Sequence, residues 1–394
     1  MQAMTNVKQW MRDATHAHRR LRGLGPPVVA TFTPRAQVPG AAQQEATVVA
    51  ITRRTPDAVT LRLRTGPLSF RAGQFVTLAV SVLGRVHRRN YSVSCAGGAT
   101  SEIDITVKRV TGGVVSTALS AHARVGDRFG FEGPHGSFVC PPGHLGPLVL
   151  VGAGSGITPL YSILLSELSR PRDVALLYGN RSAEATIFRE ELTALTRAHA
   201  SLRVLHARED VATDLAPQES ATERTFAGRM GASVIARMLD SVPFAAASDA
   251  LFFLCGPEPV RTSAREVLEA RGVSTSRIHE ERYTTPTLLP ASAGAVLLPP
   301  QQVTFHQQGG PTKGRSVSLT LLPGETLLAA ATRGGLAAPF SCAMGGCGEC
   351  RMRLVSGDVV MEEPNCLLPA ERARGEILGC VARPREACVV EVRT

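Results

Sequence analysis

The chain has 394 residues, of which 44% are hydrophobic and 19% are charged. This length allows about two to four domains, and the composition is typical of folded proteins. No apolar run approaches the ~18 residues of a membrane-spanning helix. The formal net charge is +10, and half of it (+5) lies in residues 1–44. That segment has one Trp and one Phe and matches no nucleic-acid module, so we expect no nucleic-acid partner.

The basic N-terminal extension, residues 1–44, predicts a short helix over 5–22 followed by a linker. It lacks an apolar stretch with a small-residue cleavage site, so we expect no secretory signal. One hypothesis is that it docks peripherally to an anionic membrane surface. The other is that the helix packs on the body of the enzyme. Together with the clustered cysteines described below, these features predict a cytoplasmic protein, membrane-associated on the first hypothesis.

Residues 45–145 contain short β-type runs separated by turn-prone pieces, which predicts a small antiparallel β-barrel. Two stretches of this segment have the chemistry that a flavin requires, namely an aromatic ring, hydrogen-bond donors and partners for phosphate. The first stretch supplies Arg89, Tyr91 and Ser92. The second runs from Val107 and Lys108 through the turn formed by Gly112, Gly113 and Ser116. Each stretch alone is also compatible with solvated charges flanking a strand.

Residues 146–284 alternate strands with helices, including a helix over Glu184–His199, which predicts a parallel sheet in an α/β domain. A glycine-rich turn follows the first strand and precedes a helix, the context of a phosphate-binding loop. It differs from the dinucleotide fingerprint G-x-G-x-x-G because its third glycine comes one residue early. The turn contributes Gly152, Gly154, Gly156, Thr158 and Pro159.

The choice between NADPH and NADH depends on the residues that follow the second strand of this domain. An acidic residue there would bind the ribose 2′-hydroxyl of NADH. The chain has Tyr178-Gly179-Asn180-Arg181-Ser182 instead, without an acid. Arg181 is suited to a 2′-phosphate, so we favour NADPH over NADH.

A segment rich in Pro, Ala and Thr, residues 285–301, predicts a linker to a compact α+β unit over 302–394. Six of the nine cysteines lie from Cys342 to Cys388. Four of them follow the C-x4-C-x2-C…C pattern of plant-type [2Fe–2S] ferredoxins: Cys342, Cys347, Cys350 and Cys380. A zinc site usually has paired C-x2-C knuckles, and this spacing does not supply them. The pattern therefore predicts a [2Fe–2S] cluster.

The order of these motifs resembles the ferredoxin–NADP reductase superfamily. In that family R-x-Y-S and G-G-x-x-S hold the flavin on the barrel, and a G-P-x-G-x-F turn, similar to residues 133–138 here, precedes the nucleotide domain. The glycine-rich turn faces the NAD(P) pyrophosphate. The resemblance further implies that Cys255-Gly256-Pro257 places a thiol beside the nicotinamide. The ending His279-Glu280-Glu281-Arg282-Tyr283 is similar to the H-x-E-x-F of members with a C-terminal, β-grasp ferredoxin domain, which brings Glu281 towards the flavin.

The resemblance implies an NAD(P)H-dependent reductase, with Ser92, Cys255 and Glu281 at the site of hydride transfer. Electrons would pass from FAD to the cluster and on to a partner oxygenase, hydroxylase or fatty-acyl desaturase. The subgroup includes the reductases of phenylacetyl-CoA epoxidase, of steroid hydroxylases and of acyl desaturases. FMN is an alternative to FAD, although the spacing of Lys108, Gly113 and Ser116 looks more like the FAD group. Two other functions stay open: a redox sensor without turnover, and an electron-transfer subunit of the dihydroorotate-dehydrogenase type, which would have a different cysteine spacing.

Overall fold

The computed structural model describes residues 44–82, 85–214, 222–282, 300–322, 325–340, 345, 348–362, 365, 367 and 369–393. The predictions for the N-terminal helix and for Cys342, Cys347 and Tyr283 lie outside these residues, as does nearly all of the predicted linker. Within the described part of the chain, none of the helices has the length and apolar character that crossing a membrane requires.

The first unit is the predicted antiparallel barrel. Its strands are β1 (Gln44–Thr55), β2 (Ala58–Phe70), β3 (Phe75–Val82), β4 (Arg85–Ser92), β5 (Gly98–Lys108) and β6 (Arg128–His135). They lie in the order β4-β3-β6-β1-β2-β5. Val93, just past β4, forms an antiparallel bridge to Ile105 in β5, so the two edge strands meet and the barrel closes. Alternate apolar residues of the strands fill its interior, and α1 (Val114–His122) packs beside them.

The second unit is the predicted parallel sheet. Its strands are β7 (Leu148–Ala153), β8 (Val174–Asn180), β9 (Leu202–Arg208), β10 (Glu223–Ala227), β11 (Leu251–Cys255) and β12 (Ile278–Glu281). The helices are α2 (Ile157–Glu167), α3 (Arg189–Ala198), α4 (Ala232–Asp240) and α5 (Glu258–Ala270). The strand order is β10-β9-β8-β7-β11-β12, with every pair parallel. The order reverses between β7 and β11, so their carboxyl ends flank the crevice where such sheets bind ligands.

Helix α3 begins later than the sequence predicts, at Arg189 instead of Glu184. Phe188, which precedes it, has a φ of 62° and is the only non-glycine residue of the described ranges with a positive φ. Its ring stacks on Tyr161 at 4.1 Å, and the Arg54 guanidinium from the barrel covers it at 5.1 Å. We infer that this packing between the two units holds the left-handed conformation of Phe188, which prevents the helix from starting before Arg189.

Helix α2, which follows the glycine-rich turn, is hydrogen-bonded to loops of the barrel. The Ser162 hydroxyl donates to the Cys95 carbonyl oxygen at 2.6 Å. The Ser166 hydroxyl accepts from the Gly97 amide at 2.9 Å. These contacts fix the glycine-rich turn relative to the barrel, because the turn and α2 are continuous.

The third unit is the predicted α+β unit. Its strands are β13 (Gln301–Gln307), β14 (Ser316–Leu321), β15 (Arg351–Ser356), β16 (Val359–Met361), β17 (Glu376–Leu378), β18 (Ala382–Pro384) and β19 (Cys388–Val392). Helices α6 (Leu327–Arg333) and α7 (Pro369–Ala373) complete it. The sheet order β14-β13-β19-β15-β17 contains one parallel pair, β13 with β19. Buried residues of α6 share one core with the sheet, and Cys350 and Cys380 lie in the same core.

Candidate functional site

Three neighbouring strands bring predicted site residues side by side at the carboxyl edge of the parallel sheet. Cys255, the last residue of β11, is in register with Gly152 of β7 on one side and with Glu281 of β12 on the other. In-register residues of a sheet direct their side chains to the same face. The Cys255 side chain is fully buried in a core that also contains Phe138, from the segment after the barrel. The thiol and the Glu281 carboxyl group therefore share the face of the sheet directed towards that segment.

The two turns that follow β7 and β11 are in direct backbone contact. A Cβ atom at Gly152 would lie 2.8 Å from the Cys255 carbonyl oxygen, and one at Gly156 would lie 2.3 Å from it. Gly256 has a φ of +144°, and a Cβ there would lie 3.0 Å from the Ala153 nitrogen. Only glycine fits at these positions. The result is a cradle of bare backbone at the switch point, which suits the pyrophosphate of a dinucleotide.

Side chains beneath the glycine-rich turn fix its shape. The Thr158 hydroxyl donates to the Ser155 carbonyl oxygen at 3.1 Å, and both Thr158 and Pro159 are buried, so they shape the loop from inside. Tyr178 in β8 is fully buried and donates its hydroxyl to the Gly154 carbonyl oxygen at 2.9 Å. Burial raises the pKa of this phenol, which therefore stays protonated as a donor. Sequence reasoning missed this role, because the only signal was a single hydroxyl within an apolar strand.

On the barrel side, Arg89, Tyr91 and Ser92 lie in β4, opposite Leu78, Val76 and Phe75 of β3. Because side chains alternate along a strand, Arg89 and Tyr91 share one face and Ser92 lies on the other. The Tyr91 ring is half-buried against the barrel core, and burial raises the pKa of its hydroxyl. Ser92 is buried. The arrangement offers a partly exposed aromatic ring beside a cation, which suits a flavin ring and a phosphate.

The turn after β5 leads into the start of helix α1. Gly112 has a φ of +74°, and Gly113 is the N-cap of α1 without a side-chain cap. A Cβ at Gly113 would lie 2.4 Å from the Ser116 hydroxyl oxygen, and that oxygen accepts from the Val110 amide at 3.1 Å. The turn thus presents the positive end of a helix in a compact frame, as phosphate sites do.

Lys108 links the barrel to the nucleotide cradle. It ends β5, and its ammonium nitrogen lies 3.8 Å from the position that a Cβ of Gly154 would occupy. The same nitrogen is 3.9 Å from Asp57 Oδ2. The predicted phosphate-binding turn and the predicted flavin-binding strand therefore meet at one cation. The Val107 side chain lies in the barrel core, so a flavin could contact this residue only through its backbone.

Arg181 follows β8 at the carboxyl edge of the sheet and is largely exposed, at 72% of its side chain. Its guanidinium Nη2 is 3.8 Å from Asp57 Oδ2. The strand register places Arg208, at the end of β9, beside Asn180, where it pairs with Asp210 at 2.7 Å. Sequence reasoning missed Arg208 as a second cation of this edge, because only the pairing of β8 with β9 brings it there.

Two of the four predicted cluster ligands come together in the structure. Cys350 and Cys380 are buried, and their sulfur atoms are 3.1 Å apart. The Gly345 amide donates to the Cys380 sulfur at 3.2 Å, and Gly345 has a φ of +74°. An amide directed at sulfur and two buried thiols side by side fit a thiolate-bound cluster. Cys342 and Cys347 lie outside the described residues.

Family models match three consecutive parts of the chain. Residues 45–140 match an oxidoreductase FAD-binding domain, and residues 150–266 match an oxidoreductase NAD-binding domain. Residues 312–385 match a 2Fe-2S iron-sulfur cluster binding domain. These matches confirm the predicted classes of cofactor in their predicted order.

The chain is similar over most of its length to curated components of an epoxidase and of a monooxygenase. It is 32% identical over 357 residues to a component of the 1,2-phenylacetyl-CoA epoxidase from Escherichia coli, covering 87% of this chain and 96% of that one. It is 34% identical over 346 residues to the ferredoxin reductase component of 3-ketosteroid-9-alpha-monooxygenase from Mycobacterium tuberculosis, covering 86% and 87%. The solved structure of phthalate dioxygenase reductase shares the fold, with a TM-score of 0.56 and 22% identity over 89% of this chain and 98% of that one. The chain therefore belongs to the ferredoxin-reductase-type oxidoreductases in which an FAD-binding, an NAD-binding and a C-terminal [2Fe–2S] domain share one chain.

Proposed function

We propose that this enzyme takes hydride from NADPH onto FAD beside Ser92, Cys255 and Glu281, and delivers the electrons singly to a terminal oxygenase through a cluster on four cysteines. The proposed domains are residues 45–145 for the flavin, 146–284 for the nucleotide and 302–394 for the cluster, with a linker over 285–301. The observation that carries the proposal is the register of Gly152, Cys255 and Glu281 at the switch point of the sheet. This edge is directed towards the flavin barrel, and Lys108 joins the two.

The chain's own residues bind and orient the groups that react. The glycine cradle and Tyr178 hold the dinucleotide pyrophosphate, and the buried Cys255 side chain excludes water beside the nicotinamide. The role of Ser92 as a hydroxyl donor to the flavin ring rests on the family resemblance, because Ser92 is buried on the face of β4 opposite Tyr91. Glu281 holds a carboxyl group on the Cys255 face. When bound, the flavin accepts a hydride and the cluster accepts one electron at a time, which divides the electron pair.

FAD suits the barrel better than FMN, because the chain offers two separate features for phosphate. One is Arg89 beside Tyr91 in β4, and the other is the N-terminus of α1 after Gly112. FMN carries a single phosphate and would leave one of them unused. The position of Lys108 next to the glycine-rich turn supports an extended flavin that lies along the contact between barrel and sheet.

A terminal oxygenase or hydroxylase is the proposed electron acceptor, since the relatives are named as components of an epoxidase and of a monooxygenase. A fatty-acyl desaturase is a second candidate that rests on the subgroup resemblance alone. Membrane docking through residues 1–44 stays a prediction from charge.

Replacing Arg181 with alanine tests both turnover and the choice of nucleotide. Wild-type enzyme is expected to reduce cytochrome c continuously with NADPH, which a redox sensor would not do. The R181A variant is expected to lose about tenfold in kcat/KM for NADPH, because a charge-assisted contact to the 2′-phosphate is worth ~1.5 kcal/mol at an exposed site. Its kcat/KM for NADH is expected to stay within about twofold, since NADH has no 2′-phosphate.

Arg229, an exposed arginine after β10, provides the matched control, and R229A is expected to leave the NADPH/NADH preference unchanged. An equal loss with both nucleotides in R181A would contradict the role of Arg181. Single-turnover reduction without continuous transfer to cytochrome c would favour the sensor.

A further inference from the structure

Arg261, in the first turn of α5, is a buried cation of the nucleotide domain. Only 9% of the residue is exposed, and burial lowers the pKa of its guanidinium. Removing a cation from water is unfavourable unless its partners compensate for the lost solvation. Its contacts identify those partners.

The guanidinium of Arg261 contacts two segments of the proposed hydride-transfer site at once, one through a backbone carbonyl and the other through a side chain. Its Nε donates to the Gly256 carbonyl oxygen at 3.1 Å, and one terminal nitrogen donates to Glu280 Oε2 at 3.1 Å. The Gly256–Pro257 peptide has no N–H, so this carbonyl is its only hydrogen-bonding group. Gly256 directly follows Cys255, and Glu280 directly precedes Glu281. One planar fork thus joins the two segments that carry the thiol and the carboxyl group.

Glu280 is held by two further arginines. Arg265 Nε lies 3.2 Å from Glu280 Oε1, and Arg282 Nη2 lies 3.3 Å from Glu280 Oε2. Because side chains alternate along β12, Glu280 faces α5 while Glu281 lies on the opposite face with Cys255. The ion pairs therefore hold β12 from behind and leave Glu281 on the reactive face. Of the two arginines from α5, only Arg261 also contacts Gly256 in the described part of the chain.

We propose that Arg261 is a positioning residue for hydride transfer, which fixes the turn of Cys255, Gly256 and Pro257 relative to Glu281 and so sets the approach of nicotinamide to flavin. The inference rests on the proposed function, because it assigns the nicotinamide to this turn. Displacement of reacting atoms by about 1 Å is enough to cost on the order of 100-fold in rate.

The test compares R261M with R265M in the full-length enzyme loaded with flavin and cluster. Both variants remove one cation from Glu280, but only R261M removes the bond to Gly256. At saturating NADPH, R261M is expected to reduce its flavin about 10- to 100-fold more slowly than wild type. The deuterium isotope effect on flavin reduction, with NADPH labelled at the transferred position, is expected to rise, while the Kd for NADP⁺ changes by less than about threefold. R265M is expected to stay near wild type in all three.

A purely structural role would lower the melting temperature of both variants and leave the isotope effect at its wild-type value. R261M that matches R265M in rate and isotope effect would overturn the proposal. If R261M does not accumulate with bound flavin, R261K keeps the charge that Glu280 requires but lacks the fork, and the same criteria apply to it. Wild-type flavin that NADPH does not reduce would instead overturn the proposed function, and this inference with it.

Discussion

Replacing Cys380 with serine is expected to abolish the [2Fe–2S] cluster and to lower NADPH-driven reduction of cytochrome c by on the order of 100-fold or more, while NADPH still reduces the flavin. Cys380 lies against Cys350, with the sulfur atoms 3.1 Å apart, and receives the Gly345 amide. Mutating a group that only hydrogen-bonds to a metal ligand lowers metal affinity or activity by about 10- to 100-fold. Loss of the ligand itself is therefore expected to have the larger effect. Iron content, flavin content and the two reduction rates measure it.

Cys388 supplies the matched control for this variant. It is a buried cysteine of the same unit, outside the C-x4-C-x2-C…C pattern, and its thiol donates to the Glu386 carbonyl oxygen at 3.1 Å. C388S is expected to keep iron and cytochrome c reduction near wild type. C380S with full iron content, or C388S without iron, would contradict the assignment of the cluster ligands.

Replacing Gly156 with alanine is expected to reduce the rate of flavin reduction by NADPH on the order of 100-fold, because the reacting atoms are displaced. The added Cβ would lie 2.3 Å from the Cys255 carbonyl oxygen, so the glycine-rich turn and the turn after β11 must separate. That separation moves the pyrophosphate cradle and the nicotinamide site together. Flavin and iron content are expected to stay at wild-type levels, because the barrel and the ferredoxin unit do not depend on this contact.

The control for G156A is a glycine of the same domain with room for a methyl group. At Gly231, the N-cap of α4, an added Cβ would meet only the Arg229 carbonyl oxygen, at 4.0 Å, and its φ is −113°. G231A is expected to behave as wild type. Stopped-flow reduction of G156A at the wild-type rate would show that the two turns do not form the nucleotide cradle.

Local sequence patterns were enough to predict the three units of the fold. Alternating apolar residues predicted the barrel, apolar strands between helices predicted the parallel sheet, and cysteine spacing predicted the cluster unit. The predicted start of α3 was wrong, because the conformation of Phe188 depends on packing against Tyr161 and Arg54, which lie in other elements. No pattern around Phe188 itself carries that information.

The predicted site residues lie in short motifs, which is why a sequence reveals them. The contacts that hold those motifs together join distant parts of the chain. Tyr178 reaches Gly154 from the neighbouring strand, and Arg261 reaches Glu280 from a helix. Arg208 joins the edge of the sheet only through the pairing of β8 and β9. Such partners depend on strand order and register, which the sequence does not display.

The most direct test of the central claim is an anaerobic absorption spectrum before and after addition of NADPH, with released flavin identified and iron quantified. The expected result is about one FAD and about two irons per chain, with the absorbance of both cofactors bleached by NADPH. Flavin without iron, or a cluster that NADPH cannot reduce through the flavin, would contradict the proposed path of electrons from the nucleotide to the cluster.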